Sequence, residues 1–162
     1  MKLLPYSDVD RELTYSLESD PEVMSHLGGV GTAGDAERVH QERLAAFARG
    51  DLFFTIVPDG SSEPAGIMAI WRTEWNSAPI HELGGMLLPR YHAQGLTVRA
   101  FDLILPHALD KGISRLDSFP AVANRASNSV LRKLGFSRLE DCDLDYHGRP
   151  LRCAHWVRDL TV

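Results

Sequence analysis

The stretch Asn124–Phe136 constrains the fold more than any other part of the chain, because it marks both ends of one short helix. Asn124 is a good N-cap, and Ser127 sits where a free backbone N–H needs an acceptor. Ala126, Val130, Leu131 and Leu134 fall on one face at helical spacing. Arg132 and Lys133 occupy the last turn, where the negative end of the helix dipole favours cations. Gly135 is placed as a left-handed C′ residue, and Phe136 as the apolar residue that folds back in a Schellman ending. Such a helix packs one side and leaves polar groups at its N-terminus, where a ligand can approach.

The rest of the chain supplies a partner for that packed side. Lys2 to Pro5 reads as a strand, and Asp8 to Leu17 as a helix. Asp20 caps another helix with Pro21 at its first position, ended by Gly28-Gly29. Gly29 to Gly34 reads as a loop, and Asp35 to Arg49 as an amphipathic helix stopped by Gly50. Leu52–Val57 and Ala65–Trp71 flank a Pro/Gly/Ser cluster and predict an antiparallel hairpin. A further turn at Asn76–Pro79 precedes a strand from Ile80 to Leu88. Its internal Gly84-Gly85 predicts a bulge or a close backbone approach. Gly95 to Asp110 is a largely apolar helix in which Pro106 is expected to cause a kink or an end. Ile113–Phe119, Arg138–Tyr146 and Leu151–Val157 are the last strands. The fold class is therefore α/β: a mixed, mostly antiparallel central sheet with a parallel strand–helix–strand unit and helices on both faces.

At 162 residues, one domain spanning 1–162 is expected. A net charge of −5 excludes a general binder of nucleic acid or anionic membranes, which needs a basic field. No apolar run approaches the roughly 20 residues of a membrane span, and the N-terminus is too short and polar for a signal peptide. A cytoplasmic protein is the default expectation. Cys142 and Cys153 show no metal-ligand pattern. A hairpin turn at His147-Gly148 would set them opposite each other, as reduced thiols or, less commonly in the cytosol, a disulfide.

Two strand-to-helix junctions lie close in sequence, Leu88–Thr97 and Pro120–Asn124. In a parallel strand–helix–strand unit both helix N-termini open on one edge of the sheet, where ligands bind. The first junction offers unpaired N–H groups beside Gly95, a site suited to phosphate.

Together the junctions resemble the GNAT acetyltransferase superfamily. Its acetyl-CoA loop, Arg/Gln-x-x-Gly-x-Gly/Ala, corresponds here to His92-Ala93-Gln94-Gly95-Leu96-Thr97. Its second motif corresponds to Asn124, Ser127, Val130-Leu131, Lys133 and Gly135-Phe136. Glu82–Leu87 looks like the strand before that loop. Ser19–Met24 and Leu27–Gly29 look like the early helix of the branch that acetylates ribosomal-protein N-termini. The resemblance spans nearly the whole chain. Three positions depart from it: His92 stands for Arg or Gln, Thr97 for Gly or Ala, and Leu131 for the Tyr that protonates the leaving thiolate in many members.

The resemblance implies direct transfer of the acetyl group of acetyl-CoA to a primary amine, without a metal. It implies cofactor contacts from Met86, Leu87 and Leu88, from His92 to Thr97, and from Asn124 and Ser127. A backbone N–H of the bulged strand, near Met86 to Leu88, would receive the developing oxyanion. Glu82 is the first candidate base, with His81 on the opposite face as second. Ser127 would assist the thiolate in place of the missing Tyr. His26 and His155 read as surface or packing residues. Trp71, Trp75 and Trp156 read as packing residues, with Trp71–Pro79 a loop walling the acceptor side. Proteins of this type are commonly dimers, so a homodimer is an option. A non-catalytic acyl-CoA sensor of the same fold is the alternative function, and a purely structural interaction domain is a third.

Overall fold

The computed structural model describes residues 1–161. Seven strands form one sheet: β1 Lys2–Pro5, β2 Leu52–Val57, β3 Gly66–Trp75, β4 Ala78–Leu87, β5 Arg115–Ser118, β6 Ser137–Tyr146 and β7 Arg149–Asp159. Their order is β1-β2-β3-β4-β5-β7-β6, and β4–β5 is the parallel pair. The helices are α1 Arg11–Ser19, α2 Pro21–Met24, α3 Ala33–Ala48, α4 Leu96–Asp110 and α5 Arg125–Lys133. Strand alternation divides the core. Ile70, Leu83 and Leu116 point to the α4–α5 side, whereas Phe53, Ile67 and Ala69 point to the α1–α3 side. β2 is buried along its whole length because both layers cover it. Among the described residues no helix is long and apolar enough to cross a membrane.

Several local expectations change. The β3–β4 register is unbroken from Gly66↔Leu87 to Trp75↔Ala78, so β4 has no bulge. The glycines answer to close approach instead: a Cβ on Gly84 would lie 2.7 Å from the Trp71 ring, and one on Gly85 would lie 2.9 Å from the Ile67 carbonyl. Trp71–Pro79 is a hairpin arm rather than a loop. Its turn is Asn76-Ser77, both with positive φ (49° and 62°), as a tight two-residue hairpin requires. Helix α3 starts before Asp35 because Thr32 and Asp35 cap each other reciprocally. Helix α4 continues through Pro106, which lies on the exposed side, so the Asp102 carbonyl it leaves unpaired can meet water.

Candidate active site

The site lies where β4 and β5 part. Their pairing is confined to Glu82↔Asp117, reinforced by Ser118 Oγ donating to the Leu83 carbonyl at 2.8 Å. Beyond it the chain stays with β7: Ala154 N donates to the Pro120 carbonyl and Val122 N to the Arg152 carbonyl. One edge of β4 from Gly85 to Leu87 is thereby left open. Leu88 N donates to the Ala65 carbonyl at 2.8 Å. Antiparallel ladders alternate, so Met86 N–H also faces β3, whereas Gly85 and Leu87 N–H face the gap. Of the three expected backbone positions, Leu87 is the one whose N–H is turned to the opening. The Leu87 carbonyl accepts from His92 Nε2 at 2.8 Å, and Nδ1 of that ring lies 3.4 Å from Glu22.

The following loop ends in two left-handed residues, Ala93 (φ 59°) and Gly95 (φ 72°), the latter serving as the N-cap of α4. Gly95 offers no side-chain cap, and the first intrahelical bond runs from Arg99 N to its carbonyl. The N–H groups of Leu96, Thr97 and Val98 are thus directed out of the helix end. His92, Ala93, Gln94 and Gly95 are exposed, Thr97 is half-buried and Leu96 is anchored in the core.

Helix α5 has both expected ends. Asn124 Oδ1 accepts from Ser127 N at 3.1 Å. Phe136 N reaches the Leu131 carbonyl and Gly135 N the Arg132 carbonyl, which is the Schellman pair, with Gly135 at φ 79°. The buried face differs from expectation, because Ala126 is exposed and Asn128 is buried. Asn128 Nδ2 donates to the carbonyls of Ala121 and Asn124, and its Oδ1 accepts from Trp156 Nε1 at 2.8 Å. This residue, missed by periodicity alone, ties α5 to β7. Leu131 is core, so no acid replaces the absent Tyr there. Ser127 is half-buried, and among the described residues nothing hydrogen-bonds its hydroxyl.

Glu82 stands on the α1–α3 face opposite Trp71, in register with Asp117. Burial raises its carboxyl to about 7, helped by the Asp117 charge. Among the described residues neither Glu82 oxygen has a partner, and neither is sealed from solvent. Asp117, 1% exposed, accepts from Arg115 Nε and Nη2 at 3.1 Å each and from His155 Nε2 at 2.6 Å. His155 stacks on Phe119 at 4.5 Å and meets Trp75 edge-on at 5.7 Å. It is therefore a packed residue and not a surface one, with a hydrogen bond to Asp117 in addition. Trp75 lies beside this cluster, Trp71 covers Gly84, and Trp156 is core on the other face. His81 faces away from Glu82, as alternation requires; burial and Arg72 lower its pKa. Cys142 pairs in register with Cys153, both as free thiols, and burial pushes Cys153 up to about 11.

The parted parallel pair is thus flanked by the uncapped Gly95 helix end and by the Asn124 helix. The family model for the acetyltransferase (GNAT) domain matches residues 1–137, and the chain belongs to that family. Solved structures show the same fold. A ribosomal-protein-alanine N-acetyltransferase from Brucella melitensis is 16% identical over 99% of this chain and 100% of its own, with a TM-score of 0.80. An acetyltransferase from Salmonella typhimurium, solved with its cofactor acetyl-CoA, is 16% identical over 100% and 95%, at 0.78. Spermidine N-acetyltransferase from Vibrio cholerae, in complex with CoA and spermine, is 13% identical over 98% and 94%, at 0.76. No curated protein matches the chain significantly.

Proposed function

We propose that the chain is a single-unit cytoplasmic N-acetyltransferase that moves the acetyl group of acetyl-CoA directly to a primary amine of a protein N-terminus or a small molecule. The observation that carries this reading is Glu82. It is an unpartnered carboxylate of raised pKa beside the point where β4 and β5 part. An amine arrives largely protonated and must lose a proton before it attacks, and a base near neutrality is matched to that task. Leu87 N–H then faces the thioester oxygen, and the Leu96–Val98 helix end faces the pyrophosphate. Asn124 orients the α5 end, with Ser127 the hydroxyl available to the departing sulfur. The two free thiols fit a reducing compartment.

The test is free-thiol release from acetyl-CoA with amine pools, namely peptides with Ser or Ala N-termini and polyamines, beside a CoA thermal-shift titration. Thiol release that depends on the amine supports the enzyme. A melting shift without thiol release supports the sensor, a reading favoured by buried Leu131 and by His92 on the Leu87 carbonyl. No shift at millimolar CoA contradicts both.

A further inference from the structure

The Asp117–His155 pair has no part in the reaction as stated so far, yet it is built like part of a proton path. Asp117 is held by both nitrogens of one edge of the Arg115 guanidinium, which fixes its orientation. A carboxylate only accepts, so His155 Nε2 carries the hydrogen of their 2.6 Å bond. Nδ1 is then the ring nitrogen left for exchange with the cleft. Among the described residues Nδ1 has no partner, and it is not sealed from solvent. The Phe119 and Trp75 rings fix the plane of the imidazole. Glu82, Asp117 and His155 stand on three consecutive strands, β4, β5 and β7, all on one face.

We propose that His155, oriented by Asp117, relays the substrate proton from Glu82 to solvent. This rests on the acetyltransfer reading. The ammonium N–H bond breaks and its proton passes to the Glu82 carboxylate. It then passes, through water in the cleft, to His155 Nδ1 and out. Asp117 faces the transient imidazolium as a positioning residue. The freed amine forms a C–N bond at the thioester carbonyl, the C–S bond breaks, and the sulfur leaves as thiol with the second nitrogen proton. Other titratable groups on this face are Arg115 on β5, Cys153 and Asp159 on β7 and Cys142 on β6. Glu18 and Arg43, from α1 and α3, and Tyr146 form a separate cluster.

His155→Gln separates relay from support, because a glutamine N–H can still donate to Asp117 but cannot take up a proton. At saturating amine and acetyl-CoA, kcat falls about 10- to 100-fold, while the acetyl-CoA KM and the melting temperature stay as in wild type. Millimolar imidazole raises the rate of the variant and leaves wild type unchanged. Asp117→Asn removes the like charge beside Glu82 and moves the acid limb of the kcat profile to lower pH. A Gln variant within twofold of wild type and insensitive to imidazole overturns the relay while leaving acetyltransfer standing. Absence of thiol release from wild type overturns both.

Discussion

Two polar clusters are buried on the same face of the sheet, and they are built in opposite ways. Under α1 and α3, Arg43 donates to Thr14 at 2.9 Å and to Glu18 at 3.2 Å. Thr14 meets the Tyr6 hydroxyl, Tyr6 meets His40 Nδ1 at 2.6 Å, and His40 Nε2 donates to Asp8 at 3.1 Å. The chain has one direction, and each group in it finds a complement. At the β4–β5 junction two carboxyl groups share one edge. Asp117 takes every donor, and Glu82 has none. The first arrangement holds helices on a sheet. The second leaves a proton acceptor unsatisfied at an opening, as a site awaiting a substrate does.

The comparison breaks most visibly at Arg43. Arg43→Ala strands the buried Glu18 carboxylate and is expected to cost about 3–5 kcal/mol of stability, read by urea unfolding at pH 7. Its effect on turnover per folded molecule should be the smaller one, carried through the 3.3 Å contact of Arg43 Nη2 with Met86 Sδ. Glu82→Gln has the reverse profile. It lowers kcat about 100-fold or more, while the CoA-induced melting shift persists. Its stability effect depends on pH. The folded pKa of Glu82, about 7, lies above its ordinary value of 4.5. Its contribution is therefore fully present below the ordinary pKa and is lost as pH rises through about 7. Replacing it with Gln should raise the melting temperature at pH 8 relative to wild type more than at pH 5. Ser127→Ala should lower kcat about tenfold and leave folding intact, because its hydroxyl has no partner among the described residues. Equal turnover would remove it from the reaction. Smallest is His92→Ala, for which a severalfold weaker CoA shift is expected, because the helix-end N–H groups remain.

What the sequence revealed follows from the range of each interaction. The α5 caps, the Gly95 turn and the strand–helix order are local, and they stood in the sequence with their spacing intact. The extended β3–β4 arm was shortened, because Asn76-Ser77 is not a common glycine turn. Asn128 was hidden because its three bonds depend on Trp156 and Ala121, brought close by β7. The hydrogen bond of His155 to Asp117 is out of reach of the sequence for the same reason. A C-terminal hairpin reveals that β6 pairs with β7 but not that β7 inserts next to β5. Strand alternation puts Arg115, Asp117 and Phe119 on one face, but carries no sign of what they meet there. Only the single register Glu82↔Asp117 makes that face chemical.

The role of Glu82 is tested most directly by kcat against pH, at saturating acetyl-CoA and saturating amine so that the free amine's own titration drops out. Wild type should show activity rising through an apparent pKa near 7, and Glu82→Gln should lack that limb along with most of the rate. A Gln variant that keeps the limb at the same pH and the same rate would contradict the assignment of Glu82 as the base.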